Sequence, residues 1–80
     1  MTATTTDVPE LIAAIYRDAL ADDALDTDSD FFEAGGDSLA AFEITARLRA
    51  ELGVEVPVAL VFAYPSPADL AAVVESDFQE

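Results

Sequence analysis

A serine preceded by two glycines and an aspartate, and followed by an apolar run at helical spacing, is the place in this sequence best arranged for chemistry. Gly35, Gly36, Asp37, Ser38 and Leu39 lie where an acidic, irregular stretch gives way to a long amphipathic pattern. Glycine takes backbone angles closed to other residues, so Gly35 and Gly36 can turn the chain sharply and leave Ser38 uncrowded. Asp37 and Ser38 are both good N-cap residues, which sets the hydroxyl at the mouth of the following helix. There the free N–H groups and the positive end of the helix dipole favour an anion. A phosphate ester on Ser38 fits that place.

Two other chemistries compete for the same residues. Gly36-Asp37-Ser38-Leu39 also spells the block after which the GDSL esterases are named, where the serine is a nucleophile. A serine hydroxyl needs a base within hydrogen-bond reach, and this chain has neither histidine nor lysine. Eighty residues also leave no room for the α/β framework of those enzymes. Asp26, Asp28 and Asp30 alternate like the first ligands of an EF-hand, with Asp37 in the last ligand position. However, Phe31 stands where that loop needs glycine, and aspartate is a poor bidentate substitute for the final glutamate. The stretch is therefore expected to be a solvated acidic loop, with no metal site.

The run Phe31-Phe32-Glu33-Ala34-Gly35-Gly36-Asp37-Ser38-Leu39 resembles the modification motif of carrier proteins from nonribosomal peptide synthesis. In that family the serine after Gly-Gly-Asp or Gly-Gly-His carries 4'-phosphopantetheine. The similarity continues through Ala41, Ile44, Arg47-Leu48-Arg49, Leu52-Gly53-Val54 and Pro57, then Phe62, Pro65-Ser66-Pro67 and Leu70-Ala71, and so covers nearly the whole chain.

Composition agrees with a small folded domain. The 17 acidic residues against Arg17, Arg47 and Arg49 give a net charge of -14, which opposes binding to nucleic acid or anionic membrane. Such acidity can signal disorder, but 52% hydrophobic residues is more than a disordered tail carries, so the chain should fold. The absence of cysteine excludes a disulfide framework, and any thiol chemistry must come from an added group. Met1 to Thr6 lacks the features of a secretory signal, and no apolar run approaches the ~20 residues of a membrane span. A cytoplasmic protein is expected. The start at Met1 and the finish soon after the last helix suit a separate protein, with a piece of a larger synthetase as the alternative.

The elements that must position Ser38 follow from spacing and punctuation. Residues 1–6 read as a flexible leader and 7–80 as the carrier domain. Asp7 with Glu10 makes a capping-box-like start, and Pro9 suits a first turn. Leu11, Ile12, Ile15, Tyr16, Ala19 and Leu20 then form one apolar stripe, with Arg17 and Asp18 off it. From Asp22 to Gly36 the period disappears, leaving a long loop anchored by Leu25, Phe31 and Phe32. The second helix runs from Ser38 to Leu52 and ends at Gly53 in a left-handed cap. Its inward row is Ala41, Ile44, Leu48 and Leu52, and Leu39, Ala40, Phe42, Glu43 and Arg47 lie beside or opposite it.

Val54 to Pro57 reads as an extended connection, and Val58 to Ala63 as a short third helix. Ser66 caps a last helix that starts at Pro67, with Asp69 in its first turn and Leu70, Val73, Val74 and Phe78 on its apolar face. The fold class is all-α: a small four-helix carrier-protein bundle of three main helices and one short one, with a long loop between helices one and two.

The resemblance implies a peptidyl carrier protein, not itself an enzyme, that holds an aminoacyl or peptidyl group as a thioester on 4'-phosphopantetheine attached to Ser38. Gly36, Asp37 and Leu39 would frame the attachment site. A phosphopantetheinyl transferase would install the arm and an adenylation enzyme would load it, with condensation, tailoring or thioesterase enzymes acting afterwards. Partners are expected to read Leu39, Phe42, Arg47 and Phe62, and the protein to be a monomer. Gly-Gly before Asp37 points to peptide synthesis, with an acyl carrier of a polyketide or hybrid pathway, or an unmodified acidic interaction domain, as the alternatives.

A charge of -14 on so small a domain produces self-repulsion that salt screens beyond a Debye length of ~8 Å. The thermal midpoint is expected to rise with sodium chloride. A midpoint flat in sodium chloride that jumps with stoichiometric calcium would instead support a site at Asp26, Asp28 and Asp30.

Overall fold

The backbone of Asp7 is extended (φ -83°, ψ 94°), and its carboxylate accepts the Glu10 N–H at 3.3 Å, which starts α1 at Val8. This computed structural model describes residues 7–75; the leader 1–6, Ser76 and Phe78 lie outside the described residues. Helix α1 is Val8–Leu20, with Pro9 in the first turn where its missing donor costs no hydrogen bond. Glu10 does not close the capping box; its carboxylate takes the Arg17 guanidinium at 3.0 Å. Helix α2 is Ser38–Leu52, ended by Gly53 at φ 71°. A short helix, α3, spans Val58–Ala63. Helix α4 is Pro67–Val73, its start fixed by the Ser66 hydroxyl accepting the Asp69 N–H at 3.2 Å.

The described residues form helices, turns and loops with no strand, so the expected all-α bundle is observed. None of these helices is long and apolar enough to cross a membrane. Helix α1 packs against α4 and α2, and α2 against α3. Ile12, Ile15, Tyr16, Phe31, Ile44, Leu48, Val61 and Leu70 have no exposed surface. At roughly 1.5–3 kcal/mol for each large side chain removed from water, this cluster is the main source of stability.

Helix α2 buries a wider arc than its inward row. Ala41, Ile44 and Leu48 are buried as expected and Leu52 half so, but Ala40 and Thr45 are buried too. The reason is that α2 is packed on two sides, by α1 and by α3. The Thr45 hydroxyl meets the cost of burial by donating to the Phe42 carbonyl at 2.9 Å.

The long loop is ordered by hydrogen bonds that cross between elements. Arg17 Nε donates to the Leu25 carbonyl at 2.7 Å, the Phe31 N–H to the Pro65 carbonyl at 2.8 Å, and the Ala68 N–H to the Thr27 carbonyl at 2.9 Å. Within the loop the acidic side chains cap turns. Asp26 Oδ1 accepts from the Asp28 N–H and the Ser29 hydroxyl, and Asp30 Oδ1 accepts from the Phe32 and Glu33 N–H groups. Among the described residues no group of three acidic side chains is gathered as a metal site. Leu25 and Phe31 are buried anchors, but Phe32 is half exposed and not part of the core.

Tyr16 joins three elements. Its hydroxyl donates to the Pro65 carbonyl at 3.1 Å, the same oxygen that takes the Phe31 N–H, and its ring meets that of Phe31 edge-on at 6.0 Å. Burial, with a smaller contribution from the Asp30 charge, pushes its phenol well above the ordinary tyrosine range. The folded state therefore keeps this proton where the unfolded chain loses it, near pH ~10. The stabilisation is complete below that pH and is lost as pH rises above it. Urea midpoints should fall in the alkaline range, where the chain has no lysine or cysteine to titrate. Tyr16→Phe should cost about 1 kcal/mol near neutrality through the lost hydrogen bond, but should flatten the alkaline fall. An equally steep fall in Tyr16→Phe would assign it to other groups.

Candidate functional site

The site is built from the loop upward. Residues 30–36 close a tight turn in which the Ala34 N–H bonds the Asp30 carbonyl, Gly35 N–H that of Phe32 and Gly36 N–H that of Phe31, at 3.0, 3.1 and 2.9 Å. Gly35 has φ 88°, the left-handed region that glycine takes at little cost. Gly36 is glycine for a different reason, since its backbone angle is ordinary. Its Cα lies against the face of the Phe31 ring, and any Cβ there would overlap the ring carbons. The expectation that both glycines serve unusual backbone angles is thus corrected: one gives the angle, the other the close approach.

That contact delivers Asp37 to the end of α2. Asp37 is extended (φ -134°, ψ -175°), its carboxylate accepts the Ala40 N–H at 2.9 Å, and its carbonyl accepts the Ala41 N–H at 2.9 Å. With Asp37 as the cap, Ser38 is the first helical residue. Its side chain is exposed, and among the described residues its hydroxyl has no hydrogen-bond partner. The contrast with two other serines is direct. Ser29 Oγ accepts the Asp26 N–H at 2.9 Å and donates to Asp26 Oδ1, while Ser66 Oγ caps α4.

Leu39 and Phe42 flank Ser38 on the open side of α2, 75% and 64% exposed, so Phe42 lies outside the core. Phe62 reaches the same neighbourhood through the aromatic cluster. It stacks on Phe32 with ring centroids 5.8 Å apart and meets Phe31 edge-on at 6.0 Å, and Phe31 in turn lies under Gly36. Arg47 is not brought to this group. It lies eight residues beyond Leu39, roughly 12 Å along the helix axis. Its guanidinium pairs with Asp18 on α1 at 3.3 Å and with Glu51 at 3.8 Å.

Phe32, expected as an anchor, contributes an exposed aromatic face beside Phe62 instead. Adjacent residues in a turn seldom face the same way, which was the available signal. Arg17 was expected only to lie off the apolar stripe, yet it holds the loop through Leu25.

The surrounding charge is negative. Among the described residues each arginine is paired with an acid: Arg17 with Glu10, Arg47 with Asp18 and Glu51, and Arg49 with Glu55. Without histidine or lysine, nothing in the chain can act as the usual base for Ser38. A phosphate ester suits it, because the oxygen is open to solvent and the N–H groups of the first turn precede the first intrahelical bonds.

Comparison with known proteins agrees. The family model described as "Phosphopantetheine attachment site" matches residues 10–74. The chain is 47% identical over 64 residues to the probable non-canonical nonribosomal peptide synthetase CymA of Salinispora arenicola (strain CNS-205), covering 80% of this chain and 1% of CymA. It thus spans a very small part of the synthetases it matches. A solved non-ribosomal PCP domain superposes with a TM-score of 0.76 at 36% identity, covering 91% of this chain and 94% of that one. The peptidyl carrier protein solved with the phosphopantetheine transferase Sfp and coenzyme A superposes with a TM-score of 0.82 at 30% identity, over 95% and 99% of the two chains. The chain belongs to the phosphopantetheine-attachment family and, within it, to the carrier domains of nonribosomal peptide synthesis. The group that this family carries is 4'-phosphopantetheine.

The Phe31 contact makes Gly36 the sensitive glycine. Gly36→Ala should destabilise by about 1–3 kcal/mol in urea denaturation, since the ring must move to admit a methyl group. In a Phe31→Leu background the further loss from Gly36→Ala should shrink, as expected for residues in contact. Equal costs in both backgrounds would remove Phe31 as the reason.

Proposed function

We propose that this protein is a peptidyl carrier whose attachment residue is Ser38, with Gly36, Asp37 and Leu39 framing the site. The observation that carries this is the Ser38 hydroxyl, exposed and unbonded at the first position of α2 while Asp37 does the capping. When attached there, 4'-phosphopantetheine supplies the thiol to which an aminoacyl or peptidyl group is bound as a thioester. The chain's own residues expose and orient the attachment oxygen, and the acidic surface discourages nucleic acid and anionic membranes as partners.

In this reading the protein is not itself an enzyme. It is a cytoplasmic monomer whose domain runs through residues 7–80. A phosphopantetheinyl transferase modifies it, an adenylation enzyme loads it, and condensation, tailoring or thioesterase enzymes use the tethered group. Tethering raises the effective concentration of the cargo at each of these sites without releasing it. Leu39, Phe42 and Phe62, grouped near Ser38, are the contacts that such partners read. Arg47, paired with Asp18 on α1, would make a separate partner contact on another side of α2.

Incubation with coenzyme A and a broad phosphopantetheinyl transferase, followed by intact mass, tests the assignment. One prosthetic group should be added, and none to Ser38→Ala, which should keep its thermal midpoint. An unmodified wild type would favour the plain acidic interaction domain. Modification of Ser38→Ala would move the site to another serine.

A further inference from the structure

Phe32 and Phe62 come from distant parts of the chain and form one exposed aromatic ledge. In the turn before α2, Phe31 takes the buried place and the next residue faces outward; in α3, Val61 is the buried residue and Phe62 follows it on the solvent side. The two rings lie 5.8 Å apart between centroids and 22° from parallel, and Phe31 backs them edge-on at 5.5 and 6.0 Å. Even so, Phe32 remains 52% exposed and Phe62 37% exposed. Because a core ring already holds both side chains, little rotamer freedom is left to lose when a partner covers them.

The charge beside the ledge is negative. Glu33 is exposed next to Phe32, and Asp30 accepts the Phe32 and Glu33 N–H groups at 2.8 and 3.1 Å. Among the described residues no arginine reaches either acid, because Arg17 pairs with Glu10, Arg47 with Asp18 and Glu51, and Arg49 with Glu55. The chain has no lysine. Two phenylalanine faces and a neighbouring carboxylate thus share a site where the chain supplies no cation of its own.

We infer that this ledge receives an arginine side chain of a protein partner, an inference that rests on the carrier reading above for the existence of such partners and names what they bring to Phe62. A ring face carries the negative part of the aromatic quadrupole and attracts a cation within about 6 Å of its centroid. A guanidinium suits this site better than an ammonium. It is planar and weakly hydrated, so it lies flat on a ring while its N–H groups stay free to donate to Glu33. A second copy of the chain fits poorly, since it brings the same net charge of -14 and arginines that are already paired. An anionic membrane is opposed by the same charge. Phe31 also lies against Gly36, two residues before Ser38, so a partner held at the ledge sits beside the turn that presents Ser38.

Ring-proton and amide NMR of the unmodified protein, titrated with the capped tripeptides Ala-Arg-Ala, Ala-Lys-Ala and Ala-Leu-Ala, tests the ledge. The arginine peptide should shift Phe32, Glu33 and Phe62 together and bind more tightly than the lysine peptide. Phe32→Leu, which keeps an apolar side chain but removes the ring, should weaken arginine binding roughly two- to fivefold and abolish the preference over lysine. Glu33→Gln should weaken both cationic peptides and keep the preference. Equal binding of arginine and lysine with shifts spread over the acidic surface would overturn the inference, and the wild-type titration decides this even where Phe32→Leu fails to fold. Shifts at the ledge from the leucine peptide as large as those from arginine would make it a plain apolar contact, and ring shifts that follow protein concentration alone would give it to a second copy; either overturns the arginine. Intact mass after treatment with coenzyme A and the transferase is read on the same samples. A normal mass gain without an arginine preference would overturn the ledge alone, whereas an arginine preference without a mass gain would uphold the ledge and overturn the attachment.

Discussion

The position of Ser38 depends on the packing of the Phe31 ring, which lies in the middle of a long loop and yet has no exposed surface. One face of the ring is closed by Gly36, and its neighbours include Tyr16 and Phe62. Its own N–H is held by the Pro65 carbonyl, the oxygen that also accepts from Tyr16. Helix α1, the connection before α4 and the turn before α2 therefore meet around one residue. Because Gly36 can approach the ring closely, Asp37 arrives in position to cap α2, and Ser38 follows with its hydroxyl free. Burying an aromatic side chain supplies a large stabilisation, so the geometry of the turn before Ser38 is coupled to the stability of the whole bundle.

This coupling explains how so acidic a chain holds a long loop in one conformation. Arg17 ties the loop to α1 at Leu25, and the first turn of α4 ties it again at Thr27. The acidic side chains of the loop, Asp22, Asp26 and Asp30, cap turns locally by accepting backbone N–H groups. The ion pairs of the three arginines are exposed or partly so and each contributes little, so the apolar core must outweigh the self-repulsion.

Division of labour between neighbouring residues gives the site its chemical character. Asp37 satisfies the helix start, so Ser38 need not, whereas Ser29 and Ser66 are bound to backbone groups. A free hydroxyl without a base is inert by itself and open to an external catalyst. On the open side of α2, Leu39 and Phe42 remain exposed beside it.

The sequence by itself determined the helix ends, the bundle class and the location of the turn before α2, because these rest on short-range rules. Asp7, Asp37 and Ser66 cap from within three residues, Gly53 takes the left-handed angle alone, and the family resemblance runs through the same local motif. Only the tertiary structure decided that Phe31 is buried and Phe32 exposed, since both are aromatic and the choice depends on Tyr16 and Pro65, distant in sequence. Likewise, Gly36 is glycine because of a ring five residues away, which no turn propensity encodes. Arg47 pairs with Asp18 across two helices, and Val56 is drawn into the core. For Phe31 with Tyr16 and Pro65, and for Arg47 with Asp18, the partner is brought near by packing rather than by chain distance, so local propensity had no access to it.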